Sequence, residues 1–176
     1  MGTKSGAKVL AGDIHLRVNQ DFRLKLLEAA KDRLGVARSL EEIITIVRST
    51  ARSVCSADGV TFVLRDNGKC HYVEEDAIGP LWKGQKFPME TCISGWCMMN
   101  KATAAIEDIF ADDRIPHDVY RKTFVKSLVM VPIGSDAPVA AMGAYWNEKR
   151  AFSQNDLAAV EALAAAVSEA MQKIPA

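Results

Sequence analysis

Residues 84–109 read GQKFPMETCISGWCMMNKATAAIEDI, and three rules of local structure apply to them in turn. Gly84 to Pro88 is a short extended piece stopped by Pro88, which has no amide proton and biases Phe87 toward the extended region. A helix is expected next. Thr91 is a candidate cap, Ile93, Trp96, Cys97 and Met99 recur at helical spacing, and Asn100-Lys101 supplies an end. Ala104 to Ile106 then reads as a second short strand. A helix of fewer than about three turns does not hold itself in water, so the flanking strands must clamp it over apolar surface.

Upstream, Met1 to about Asp13 shows no period, and residues 1–18 read as a disordered leader or expression remnant. Residues 19–34 predict an amphipathic helix with Leu24, Leu27 and Leu34 on one side, ended by Gly35. Ser39 with Glu42 forms a capping-box signature before the stripe Leu40, Ile43, Ile44, Val47, Ala51, Val54. Val60 to Arg65 and Lys69 to Glu74 are rich in strand formers and flank Asn67-Gly68, a two-residue hairpin signal. His71, on the second of these strands, reads as a surface or packing residue.

Downstream, Phe110 to Pro116 is a polar loop, followed by a short helical candidate from His117 to about Thr123. Leu128 to Ile133 is a nearly unbroken apolar run suited to a strand covered on both faces, and Val139 to Trp146 returns as its antiparallel partner after Gly134-Ser135-Asp136. Ser153 and Asp156 cap a long Ala-rich helix with Leu157, Val160, Ala164, Val167 and Met171 on one face. Paired hairpins without βαβ alternation predict an α+β fold with an antiparallel sheet.

Composition narrows the function classes. The 176 residues suit one domain, here residues 19–176. Lys plus Arg number 22 against 22 Asp plus Glu, so no global field gathers nucleic acid or anionic lipid. No apolar run approaches the ~18 residues of a membrane span, the N-terminus has no signal-peptide core, and Gly6 stands where a myristoylation motif wants Ser or Thr. A cytoplasmic chain that binds neither nucleic acid nor membrane is expected. Four cysteines, Cys55, Cys70, Cys92 and Cys97, are too few for a disulfide scaffold, and Cys92 and Cys97, five apart, have neither a CxxC pair nor a His at ligand spacing to suggest a structural zinc site.

The run from Phe87 through Ile93-Ser94-Gly95-Trp96, with Ile106-Glu107-Asp108-Ile109, Ser127 to Ile133, and Phe152-Ser153-Gln154-Asn155-Asp156-Leu157, resembles the GAF domain. The resemblance spans residues 35–172, with 19–34 as an added helix. It implies a GAF/PAS-like sheet of about six antiparallel strands, with the terminal helices on one face and a short helix plus loop, residues 91–124, over the other. Ligands bind beneath that cover in the family. On this ground Trp96, Cys97, Met99, Ile109, His117, Tyr120, Phe124 and Val129 are candidate ligand-binding residues, although core packing is the plainer account of each apolar member.

Each function of the family requires residues that can be sought one by one. Bilin-carrying relatives attach pigment through a cysteine shortly before the strand matching Leu128 to Ile133; here the segment is Tyr120-Arg121-Lys122-Thr123-Phe124, so no covalent bilin is expected. Cyclic-nucleotide-binding relatives carry an Asn-Lys pair, Phe and then Asp-Glu. This chain has Asn147, Lys149, Phe152 and Asp156 but Leu157 in place of Glu, and turn anchoring and capping account for Phe152 and Asp156. The branch that reduces free methionine sulfoxide uses a relay of thiols, whereas Ser94 precedes Gly95 here and no cysteine follows Cys97. No Ser, His and Asp set with an elbow motif appears. The expected function is therefore a non-catalytic sensory or regulatory module in signal transduction, of the kind associated with histidine kinases. It would bind a small ligand of unknown identity or act as a dimerising regulatory domain for an output such as a kinase. The alternative is a thiol-based redox enzyme or sensor related to free methionine sulfoxide reductase. A homodimer through the terminal helices is expected, with Leu24, Leu27 and Leu34 of the first set against Val160, Ala164, Val167 and Met171 of the last.

Overall fold

In a computed structural model of the chain, which describes residues 6–175 and their side chains from residue 19 onward, the helices begin where capping chemistry permits. Ser39 accepts a hydrogen bond from the Glu42 amide at 3.2 Å and opens α2 (Leu40–Cys55). The Glu42 carboxylate reaches back one residue further than a capping box requires and accepts from the Arg38 amide at 2.8 Å. The last helix, α5 (Gln154–Lys173), has the full reciprocal box between Ser153 and Asp156. The first, α1 (Gly6–Gly35), starts well before residue 19. Residues 6–18 are thus helical where sequence periodicity assigned no structure, because α1 lacks one continuous apolar face over its whole length. Residues 1–5 of the expected leader lie outside the described residues.

Six strands, β1 (Gly59–Asp66), β2 (Lys69–Ala77), β3 (Lys86–Pro88), β4 (Ala104–Ile106), β5 (Ser127–Ile133) and β6 (Ala140–Trp146), form one sheet in the order β3-β2-β1-β6-β5-β4. Every neighbouring pair is antiparallel. Asn67 and Gly68, with φ of 48° and 76°, make the expected hairpin turn between β1 and β2. A register shift between Phe62 and Val63 marks a bulge in that hairpin.

The fold is the expected α+β arrangement, and alternation along the strands divides the core in two. Val60, Phe62, Val129, Val131, Ile133, Met142, Ala144 and Trp146 pack with Leu27 and Leu34 of α1, Ile43, Val47 and Val54 of α2, and Val160, Leu163, Ala164 and Val167 of α5. Fully burying one such leucine stabilises the fold by about 1.5–3 kcal/mol. The helix stripes expected at a dimer seam are therefore mostly spent inside the chain: Leu27, Leu34, Val160, Ala164 and Val167 are buried, while Leu24 is 58% exposed. Within a single chain α2 and α5 lie on one sheet face and α1 packs across those two helices, so their apolar residues meet there first.

The opposite face carries Val63, Tyr72, Leu128, Met130, Ala141 and Tyr145 beneath a cover made of α3 (Ile93–Asn100), the loops around it and the one-turn α4 (His117–Tyr120). Cys92, not Thr91, is the N-cap of α3, preceded by a 3-10 turn over Met89–Thr91. The Thr91 hydroxyl instead donates to the Pro88 carbonyl at 2.9 Å. Lys101, at φ 52°, ends α3 in the left-handed region as Asn100-Lys101 suggested.

Candidate functional site

The space between sheet and cover is organised by the loop after Gly79-Pro80. Glu75, on β2, accepts from the amides of Leu81 (3.1 Å), Trp82 (2.8 Å) and Lys83 (2.9 Å). This carboxylate holds the loop after Gly79-Pro80 so that Trp82 turns inward, where it is 4% exposed. Its ring lies 4.7 Å from Tyr120 and 5.6 Å from Tyr145, and meets Tyr72 edge-on at 5.5 Å. Tyr72 in turn meets Phe87 at 5.6 Å. Such edge and tilted contacts each add about 0.5–1.5 kcal/mol beyond burial.

Two of these rings have their hydroxyls satisfied by neighbouring side chains. Tyr145 shares a hydrogen bond with Thr61 at 2.8 Å, and Tyr72 one with Ser94 at 3.1 Å. Among the described residues, no buried side-chain nitrogen or oxygen lacks a partner. Burial pushes the phenols of Tyr72, Tyr120 and Tyr145 up, so all three are neutral donors and acceptors at ordinary pH. Two glycines make the space possible: a Cβ on Gly143 would overlap the Tyr145 hydroxyl, and one on Gly95 would overlap the Met89 carbonyl.

The sequence candidates scatter over this region. Cys97, Ile109 and Tyr120 are buried beneath the cover, and the Cys97 thiol, pushed up to about 12 by burial, donates to the Met130 carbonyl at 3.4 Å. Phe124 is half-buried and closes against Gly59 and Gly79. Trp96 is half-buried at the rim, with the Arg114 guanidinium 4.3 Å over its ring. His117 also sits at the rim, with Nε2 3.0 Å from the Asp112 carbonyl and its ring 5.6 Å from Phe110.

Two candidates are not at this interface. Met99 is 47% exposed on the outer side of α3, whose buried positions are Ile93, Ser94, Gly95, Cys97 and Met98. Val129 faces the terminal helices, because strand alternation gives Leu128 and Met130 to the cover and the residue between them to the other side. The residues missed are Tyr72, Trp82, Phe87 and Tyr145. Parity along β2 and β6 would have found the two tyrosines, and the apolar pair Leu81-Trp82 in a loop bounded by Gly79-Pro80 was a signal for an inward anchor.

Three cysteines share this face. The Cys92 sulfur accepts from the Ser94 hydroxyl at 3.4 Å and lies 3.6 Å from the Pro88 carbonyl. Hydrogen bonding from the Cys70 thiol, with help from Ser94, holds the Cys92 thiol below its usual range despite burial. The shared proton and burial push Cys70 up.

The family model of the GAF domain matches residues 37–172. The chain belongs to the GAF family. No curated protein sequence matches it. Among solved structures it is similar to the GAF domain of a phosphoenolpyruvate-protein phosphotransferase from Coxiella burnetii, at 15% identity over 88% of this chain and 95% of that one, with a TM-score of 0.76. It is also similar to a free methionine-R-sulfoxide reductase from Neisseria meningitidis in complex with its substrate, at 14% identity over 87% and 90%, with a TM-score of 0.74. The GAF domain of a two-component sensor histidine kinase from Bacillus halodurans matches at 20% identity over 77% and 95%, with a TM-score of 0.65. At these identities the likeness is one of fold. Of the residues that partly match the nucleotide-binding pattern, Lys149 pairs with Asp108 at 2.8 Å and Phe152 packs 5.1 Å from Trp146, while Asn147 donates its backbone N–H to Asp58 at 2.8 Å. Among the described residues, no group of three or more His, Cys, Asp or Glu is placed to hold a metal ion, and no helix is long and apolar enough to cross a membrane.

Proposed function

We propose that this GAF domain is a non-catalytic regulatory module of a cytoplasmic signalling protein, and that it works as a homodimer coupled to an output such as a kinase. The observation that carries the reading is the interior beneath the cover, which Tyr72, Trp82, Tyr120 and Tyr145 fill and whose buried polar atoms they and their neighbours satisfy. A small ligand entering there would have to displace Trp82 and its loop, so regulation through assembly is favoured over a preformed small-molecule pocket. The surface that supports assembly is a largely apolar groove of about 230 Å³ between α1 and α5, lined by Leu24, Leu27, Ala158, Ala159 and Ala162 with Arg23 and Gln20 at its edge. Alanines there let a second helix approach closely. Leu24 is the group available to fill the same groove on a partner.

Sedimentation equilibrium tests this reading. The chain should run at twice its 19.2 kDa mass, and Leu24→Glu, which alters an exposed side chain, should give a folded monomer. A wild-type chain that remains monomeric at high micromolar concentration overturns it. A small molecule retained in native mass spectrometry would instead favour ligand sensing.

A further inference from the structure

The segment from Ile78 to Gly84 is tied down at its two ends and by one side chain between them. The Ile78 amide donates to the Asp58 carbonyl at 2.9 Å, and the Gly84 amide to the Tyr72 carbonyl at 2.7 Å. Between these anchors Pro80 has no amide proton, and the amides of Leu81, Trp82 and Lys83 all donate to the Glu75 carboxylate, at 3.1, 2.8 and 2.9 Å. Hydrogen bonds to a carboxylate are the stronger kind, and here one group receives three of them. Gly79 and Gly84 flank the turn, and Gly84 has a φ of 85°, in the left-handed region that glycine enters without strain. This segment delivers the central ring of the interior, since Trp82 meets Tyr72, Tyr120 and Tyr145.

We propose that residues 78–84 form a hinged plug, with Trp82 as the inserted group and Glu75 as the latch that keeps it in. Closed, the plug fills the interior with the chain's own indole and so shuts out any other planar aromatic molecule, an autoinhibitory contact within one chain. Open, Leu81 and Trp82, both buried in the closed form, reach the surface and leave a vacancy walled by Tyr72, Tyr120 and Tyr145. The latch grips main-chain amides and not the indole, so losing the carboxylate frees the turn as a unit. Glu75 itself sits on β2, whose pairing with β1 and β3 does not involve the plug, and the sheet therefore survives the opening. Lys83 adds a second tie, with Nζ 2.6 Å from Glu74, but its side chain is half-exposed and such a pair holds weakly. Loops held by so few contacts open well below the free energy of global unfolding. A guest binds only the open form, so its apparent affinity is reduced by the open fraction, and a group that competes for Glu75 raises that fraction.

The latch does not depend on assembly: a monomeric chain overturns the dimer reading above and leaves this one standing. Fluorine NMR of the full chain labelled with 5-fluorotryptophan tests it, since the chain has three tryptophans and Trp82→Phe assigns the signal of interest. The shift of each signal between light and heavy water reports its exposure. In wild type the Trp82 signal should be shielded. In Glu75→Ala it should become exposed while that of Trp146 stays put, and indole should bind this variant at least about tenfold more tightly than wild type. Lys83→Ala should resemble wild type. The inference is overturned if folded Glu75→Ala keeps Trp82 shielded, if its affinity for indole does not rise, or if Lys83→Ala releases Trp82 equally. Should Glu75→Ala fail to fold, amide exchange of the wild-type chain decides. The amides of Leu81, Trp82 and Lys83 should then exchange at least about 100-fold faster than those of β5, a strand paired on both sides. Exchange at the rate of β5 would mean that the plug leaves only by global unfolding, and it would overturn the latch.

Discussion

Arg23 on α1 donates to Asp156 at the start of α5, Nη1 to Oδ1, at 3.2 Å, and the same guanidinium caps a third helix. Its Nε donates to the Val54 carbonyl at 2.9 Å and its Nη2 contacts the Cys55 carbonyl at 3.5 Å, at the end of α2. One cation thus answers the negative end of α2 and the carboxylate capping α5, with side chains only 13% and 14% exposed. Arg23→Ala should destabilise the chain by about 1.5–3 kcal/mol, the range for hydrogen bonds to charged groups. Lys173→Ala breaks a pair that is more than half exposed on both sides and should change stability by about 0.5 kcal/mol or less. Urea denaturation of the two variants checks the contrast.

Asp156 also sets a dependence on acid. Burial would raise its carboxyl, but the amide and hydroxyl of Ser153, then Arg23 and Arg150, hold it below the usual range. A carboxyl lowered on folding contributes stability that is present above its unfolded value, about 3.9, and is lost as pH falls through its folded value. Wild-type chain should therefore exceed Asp156→Asn in stability at pH 7, and the gap should close in the acid range below about pH 4. A gap that is unchanged from neutral pH into acid would show that the charge of Asp156 is immaterial.

Trp82→Ala should open the filled interior. Removing a buried indole costs about 3–5 kcal/mol when the site cannot collapse, and Glu75 should still hold the loop by its backbone amides, keeping the space open. An apolar cavity of this kind admits small aromatic molecules, so indole should raise the melting temperature of Trp82→Ala and leave wild type unchanged. Stabilisation of the wild-type chain by indole would mean that the cover already contains room.

The architecture was legible because long-period and two-residue signals govern it. Ser39, Asn67-Gly68 and Ser153-Asp156 mark boundaries found where they were expected, and the six-stranded sheet follows from the hairpins they delimit. The candidate site was less legible, since its residues meet through tertiary contact. The apolar pair Leu81-Trp82 after Gly79-Pro80 hints at an inward anchor, but no local pattern names Glu75, seven positions earlier, as the group that holds it. Val129 was assigned to the wrong face because an unbroken apolar strand such as Leu128–Ile133 gives no alternation from which to read parity. The same holds for α3, where Met98 and Met99 are equally apolar and only packing decides which is buried.

The centre of the sheet joins its first strand to its last, β1 to β6, and Thr61 meets Tyr145 across 84 positions of chain. Until Trp146 has left the ribosome, β1 has only its hairpin partner β2, and a two-stranded ribbon is at best marginally stable in water. Folding must therefore wait for nearly the whole domain and then close a long loop before either core forms, which places this chain among slow folders of high contact order. A nascent chain stalled ahead of β6 exposes the unpaired edge and apolar faces of β1 together with the apolar stripe of α2, making the unfinished polypeptide a substrate for chaperones.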